Sequence, residues 1–139
     1  MTPTLATLPN FNKDGLRIEI KTLTPIQIKI RIVSYIDNHQ QGIPEDYLSA
    51  VHALCLKEKI QEVIVDISEL KRLRSIDIKV LAKWIFQIKN QNAPPLYSLH
   101  FIYDSTRSSQ EVSLVSLQDF GSDFITVEKW QSQNSRSFI

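Results

Sequence analysis

Glycine is scarce in this chain: Gly15, Gly42 and Gly121 are the only three among 139 residues, and they fall in separate regions. The G-x-G-x-x-G turn of dinucleotide sites and the G-x-x-x-x-G-K loop of phosphate sites therefore cannot be written from it. Cysteine is scarcer still. A single Cys55 leaves no partner for an intramolecular disulfide and no thiolate set for zinc, which favours a reducing compartment. No apolar run approaches the roughly 18 residues of a membrane-spanning helix. Met1 to Asn12 also lacks the basic start and apolar run of a secretory signal, so the expected location is cytoplasmic, without membrane insertion. An excess of one charge is missing too. Sixteen Lys+Arg against fifteen Asp+Glu leave a net charge of +1, which gives no global field for nucleic acid.

What is present describes a globular domain. The chain is 42% hydrophobic and 22% charged, and its length suits one domain of the usual roughly 100–200 residues. Residues 1–14 read as a flexible arm, 15–130 as the domain and 131–139 as a polar tail. Leu16 to Lys21 alternates apolar and charged residues; after Thr24-Pro25, Ile26, Ile28, Ile30 and Ile32 point inward. Two such β-branched runs about a proline turn predict an antiparallel hairpin covered by helices on one side. Pro44 with Glu45 and Asp46 predicts a helix start, and Leu48, Val51, Leu54 and Cys55 carry that helix to about Lys57. Val63 to Ile67 has the apolar run of a central strand.

A second helix follows Ser75, with Ile78, Leu81, Trp84, Ile85 and Ile88 as its stripe, until Pro94-Pro95. Tyr97 to Tyr103 reads as a strand. Ser108 and Glu111 have capping-box spacing for a third helix to about Leu117, which Gly121 ends before a short strand, Phe124 to Val127. The predicted fold class is α/β: a mixed sheet of about four to five strands, with an N-terminal hairpin and central parallel strands, backed by about three helices.

Candidate chemistry is thin. His39, His52 and His100 fall in a loop, a helix and a strand without ligand spacing, so no metal or other cofactor is expected. His52 reads as a half-exposed helix residue and His100 as a strand-face residue. Cys55 lies on an apolar stripe, where a thiol behaves as an inert hydrophobe. Asp66 ends a central strand, and its simplest role is to tether the next loop through backbone N–H groups; Asp37 reads the same way. No catalytic residue is expected, and an enzyme would require a pocket joining Asp37 and Asp66. Lys71, Arg72 and Arg74, continued by Lys79, Lys83 and Lys89, lack interleaved aromatics for nucleic-acid stacking. A solvated face or an acidic protein partner suits them better. Ser75 stands at or near the N-cap of the second helix, where its hydroxyl would accept a first-turn N–H; a phosphate there would meet the helix N-terminus beside Arg74.

The stretch Val63-Ile-Val-Asp-Ile-Ser-Glu-Leu-Lys-Arg-Leu-Arg-Ser-Ile-Asp-Ile-Lys-Val-Leu81 resembles the signature of STAS domains, the bacterial anti-sigma-factor antagonist family. There a buried strand leads through a short loop to Asp-Ser-Ser/Thr-Gly-Leu at a helix start. Ser75 falls on the family's phosphorylated serine, with Ile78, Val80 and Leu81 on its apolar helix positions. Ser34-Tyr35-Ile36-Asp37 is similar to the family's Gly-Glu-Leu-Asp after the second strand. Arg74, Ile76 and Asp77 replace the family's aspartate, second Ser/Thr and glycine. The resemblance implies a non-enzymatic regulator that binds a kinase-like or anti-sigma-factor-like protein partner and is switched by phosphorylation at Ser75. Its contacts would come from Asp37, Asn38, Arg74, Ser75, Asp77, Ile78 and Lys79. The alternative it implies is a constitutive subunit or scaffold of a signalling or transport complex, in which Ser75 only caps the helix.

Overall fold

The computed structural model describes residues 8–35, 41–91, 97–106, 108–121 and 123–130. The sheet starts at Asp14 and Gly15, whose φ values of 49° and 90° are the positive angles of a tight two-residue hairpin turn. They join β1 (Phe11–Lys13) to β2 (Leu16–Thr24) in antiparallel register, with Lys13 opposite Leu16. The residues expected to form a loose arm thus contain an edge strand. β3 (Gln27–Ser34) returns after Pro25-Ile26, with a bulge between Thr22 and Thr24. Ile28, Ile30 and Ile32 are fully buried as expected, whereas Ile26 is exposed because it lies in the turn rather than on the strand.

Three βαβ crossovers complete the chain: α1 (Glu45–Glu58), β4 (Glu62–Asp66), α2 (Ser75–Gln91), β5 (Ser98–Asp104), α3 (Ser108–Phe120) and β6 (Ile125–Trp130). β3 to β6 pair in parallel, and the six strands lie side by side in sequence order. The mixed α/β sheet with three helices is the one expected, with β1 as an additional strand. Every crossover advances in the same direction. Right-handed connections then place all three helices on one face, and the burial pattern agrees. Ile30, Val65 and Phe101 are cross-strand neighbours and each is fully buried. Their row meets Leu48 and Val51 of α1, Leu81, Trp84 and Ile88 of α2, and Leu114 and Leu117 of α3 in one core.

The helix ends have local causes. α1 begins after Pro44, with Glu45 and Asp46 in its first turn, and stops at Lys59, whose φ of 59° lets the Ile60 N–H reach the Cys55 carbonyl at 3.0 Å. α3 stops before Gly121, where a Cβ would lie 2.6 Å from the Phe124 ring. The capping-box proposal for Ser108 concerns a side chain outside the described residues, as do Pro94-Pro95 and the tail 131–139.

The opposite face of the sheet is polar. Arg31 pairs with Glu19 at 3.0 Å and with Glu69, Lys29 lies 3.7 Å from Asp66, and His100 bonds Thr126 and Glu128. Helices cover one side and solvent the other.

Candidate functional site

Parallel strands carry the carboxyl ends of β3, β4 and β5, and the amino ends of α1, α2 and α3, to one end of the sheet. In open α/β sheets a ligand crevice forms where strand order reverses. Here the order never reverses, so the loops pack against one another instead. Asp66 Oδ1 accepts the Ser68 N–H at 2.9 Å and the Ser68 hydroxyl at 2.6 Å. This is the loop tether expected of it. Ser34 Oγ accepts the Lys71 N–H at 2.7 Å. Gln110, fully buried, donates to the carbonyls of Ile67 and Leu70 and accepts the Asp104 N–H.

Asp77 completes this set. It is 1% exposed, and its two oxygens accept separate backbone N–H groups: Ile43 at 2.9 Å and Arg74 at 3.0 Å. The second bond has the geometry of the reaching-back half of a capping box, since Arg74 is the residue whose carbonyl accepts the first helical bond, from Ile78. The first bond fixes the loop before α1 onto the start of α2. Gly42 passes so close that a Cβ would sit 3.3 Å from Asp77 Oδ1. Asp77, expected among the contact residues, is therefore inside the protein, and its work is to hold a loop.

Ser75 is the first helical residue, next to the cap position rather than on it, and the capping contact at this helix start comes from Asp77, which accepts the Arg74 N–H rather than a first-turn one. Ser75 is exposed, and its side chain makes no hydrogen bond to the described residues. Around it lie exposed Ile76 and Lys79 and half-buried Arg74 and Ile78. The Arg74 guanidinium reaches back to Asp77 at 3.7 Å. Arg74, Ser75, Ile78 and Lys79 thus gather on one surface; Asp37 and Asn38 lie outside the described residues.

A second polar cluster, not foreseen from the sequence, sits in the core. Trp84 Nε1 donates to the Tyr97 hydroxyl at 2.7 Å, and indole nitrogen can only donate. The hydroxyl proton of Tyr97 is then free for His52 Nδ1, also at 2.7 Å. With Tyr97 donating, which leaves the fewest groups unmatched, neutral His52 carries its proton on Nε2, a buried atom with no partner among the described residues. Far from half-exposed, His52 is 6% exposed because its side of α1 faces α2. Burial pushes its pKa below the ordinary value and raises that of Tyr97. Cys55 is buried nearby, its thiol pushed up to about 12 by desolvation, which makes it unreactive as expected.

Among the described residues no group of three or more His, Cys, Asp or Glu could hold a metal ion, and no helix is long and apolar enough to cross a membrane. Compared with protein-family models, curated proteins and solved structures, the chain finds no match.

Proposed function

We propose that this protein is a non-enzymatic, protein-binding regulator of the STAS type, whose partner reads the surface at the start of α2 and is released by phosphorylation of Ser75. The observation that carries this reading is the contrast within one turn of helix. Asp77 is buried and fully engaged, whereas Ser75 two residues earlier is exposed and unengaged, on a surface shared with Ile76 and Lys79. Such a hydroxyl is accessible to a modifying enzyme. A phosphate on it adds about −1.5 to −2 charges at pH 7 beside the N-terminal N–H groups of the helix, which have no intrahelical acceptor. The likeness of residues 63–81 to the STAS signature supplies the choice of partner: a kinase-like or anti-sigma-factor-like protein, or a subunit of a complex.

The arrangement of Arg74 supports a second reading, a constitutive subunit. Its guanidinium is half-buried and already paired with Asp77, so the turn is electrostatically matched without a phosphate. Intact-mass measurement on protein from its native host separates the two, because the switch requires one phosphate localised to Ser75. With a partner captured, Ser75→Asp weakens binding and Ser75→Ala preserves it if the switch operates. Equal binding by both variants leaves the constitutive reading.

A further inference from the structure

The net charge of +1 hides a strong local asymmetry. Residues 71–91 hold six cations, Lys71, Arg72, Arg74, Lys79, Lys83 and Lys89, against one acid, Asp77, which is buried. On α2, Lys79 and Lys83 are exposed on the same side as Phe86, which is 66% exposed. A groove of about 500 Å³ runs beside this face, lined by Ile85, Phe86 and Lys89, by Phe120 of α3 and by Glu45 and Leu48 of α1; Lys83 on its rim pairs with Glu45 at 3.3 Å. Phe120 is 57% exposed, and the Lys89 amine donates to its carbonyl at 3.0 Å, tying α2 to the end of α3.

The outward face of α3 has the opposite character. Val112 is 68% exposed and Val115 50%, and the exposed charged residues flanking them, Glu111 and Asp119, are both acidic. Residues three and four apart share a helix face, so α3 presents an apolar strip with an acidic border, and α2 an apolar groove whose charged lining, Lys83 and Lys89 against Glu45, is net basic. Among the described residues, five exposed large apolar side chains, Ile76 and Phe86 on α2 and Val112, Val115 and Phe120 on α3, thus lie on two adjacent helices. Exposed apolar side chains gathered on neighbouring helices mark an interaction surface.

We propose that this surface binds a second copy of the chain, forming a two-fold dimer in which α2 of each protomer receives α3 of the other. A two-fold contact requires a self-complementary patch, residue i meeting j and j meeting i. The α2–α3 face offers the two halves such a patch needs, a net-basic groove and an acid-bordered strip. Val112 and Val115 of one protomer seat in the groove beside Phe86 and Phe120 of its partner, while Glu111 and Asp119 approach Lys79 and Lys83. The axis runs between α2 and α3, the helix layers of the two copies pack together, and the open polar sheet faces remain outside. Concavity favours helix docking over a flat lipid surface, and the acidic strip on α3 disfavours anionic lipid further. The dimer of the unmodified chain does not rest on the regulatory reading, although a phosphate on Ser75, one turn from Lys79, would weaken the α2 half of this contact.

The decisive experiment uses charge reversal on the full chain, read by sedimentation equilibrium over a concentration series. One variant carries Lys79→Glu with Lys83→Glu, making both helices acidic; the other carries Glu111→Lys with Asp119→Lys, making both basic. Wild type is expected to dimerise, and each variant alone to do so roughly tenfold or more weakly. An equimolar mixture of the two variants should recover the dimer, because each acidic helix then meets a basic one. Phe86→Ser weakens dimerisation without altering the far-UV circular dichroism. A wild-type chain that stays monomeric to its solubility limit overturns the proposal. So does a dimer that ignores these changes or is not recovered on mixing. Phe86-dependent binding of a monomer to phosphatidylserine vesicles would assign the patch to membrane instead.

Discussion

The two buried polar clusters solve the same problem differently. At the loop end of the sheet, Asp77 meets the N–H groups of Ile43 and Arg74 with one oxygen each, so both oxygens are used and two chain segments are joined. In the core, Trp84, Tyr97 and His52 form a chain of bonds that ends on an unmatched Nε2. The first cluster places a charge where backbone donors converge, and losing it leaves those donors unpaired. The second keeps every member neutral: the Nε2–H of His52 finds no acceptor, and a second proton could enter only at Nδ1, at the cost of the bond from Tyr97. One cluster is a fastener; burial of an imidazole makes the other sensitive to pH.

The largest effect is expected from Asp77→Ala. The buried N–H of Ile43 and the part-buried N–H of Arg74 lose their acceptor, which costs about 3 kcal/mol, read as a fall in the urea midpoint at unchanged m-value. Amide exchange at Ile43 should accelerate more than at the centre of β4; uniform acceleration would mean that the carboxylate does not specifically hold the loop. Tyr97→Phe comes next, at about 2 kcal/mol, because it orphans both Trp84 Nε1 and His52 Nδ1. A third test separates the clusters by pH. His52 has a folded pKa below its unfolded value, so the unfolded chain binds the extra proton first. Stability is then full above about pH 6.5 and declines as pH falls from there toward the folded pKa, by at most about 1.4 kcal/mol per pH unit. His52→Leu should flatten that decline over the same window, and an unchanged slope would assign it to other groups. The smallest effect belongs to Ser75→Ala, expected within about 0.5 kcal/mol because the hydroxyl holds nothing. A loss near 1 kcal/mol would restore the side chain to the role of helix cap.

Much of the architecture was legible because hydrophobic period and helix boundaries are local. The alternation from Leu16 and the stripe through Trp84 sufficed for the sheet, the helices and one solvated face. The missing strand was local as well: Asp14-Gly15 is the residue pair that a two-residue hairpin prefers, and reading residues 1–14 as an arm passes over it. The site was legible only in part. Ser75 is found by its place before an apolar period, and Asp66 by its place after one. The task of Asp77 depends on Ile43, 34 residues away, and no spacing rule links them. Gln110 and Tyr97 also act through contacts that exist only after the crossovers close. His52 misleads for a related reason: one turn of helical phase decides between solvent and core, and the facing helix fixes that phase.

The strictly consecutive strand order has a consequence for how the protein is made. A sheet that adds each strand to the edge left by the previous one can assemble in the order of synthesis, with each helix closing over its unit before the next strand arrives. At every stage one naked edge waits for a partner. β6 supplies the last of these pairings, along Leu99 to Asp104 of β5. A nascent chain halted before residue 125 would therefore end its sheet at β5, an apolar strand paired with β4 on one side and open on the other, the state most prone to joining a neighbour on the same messenger.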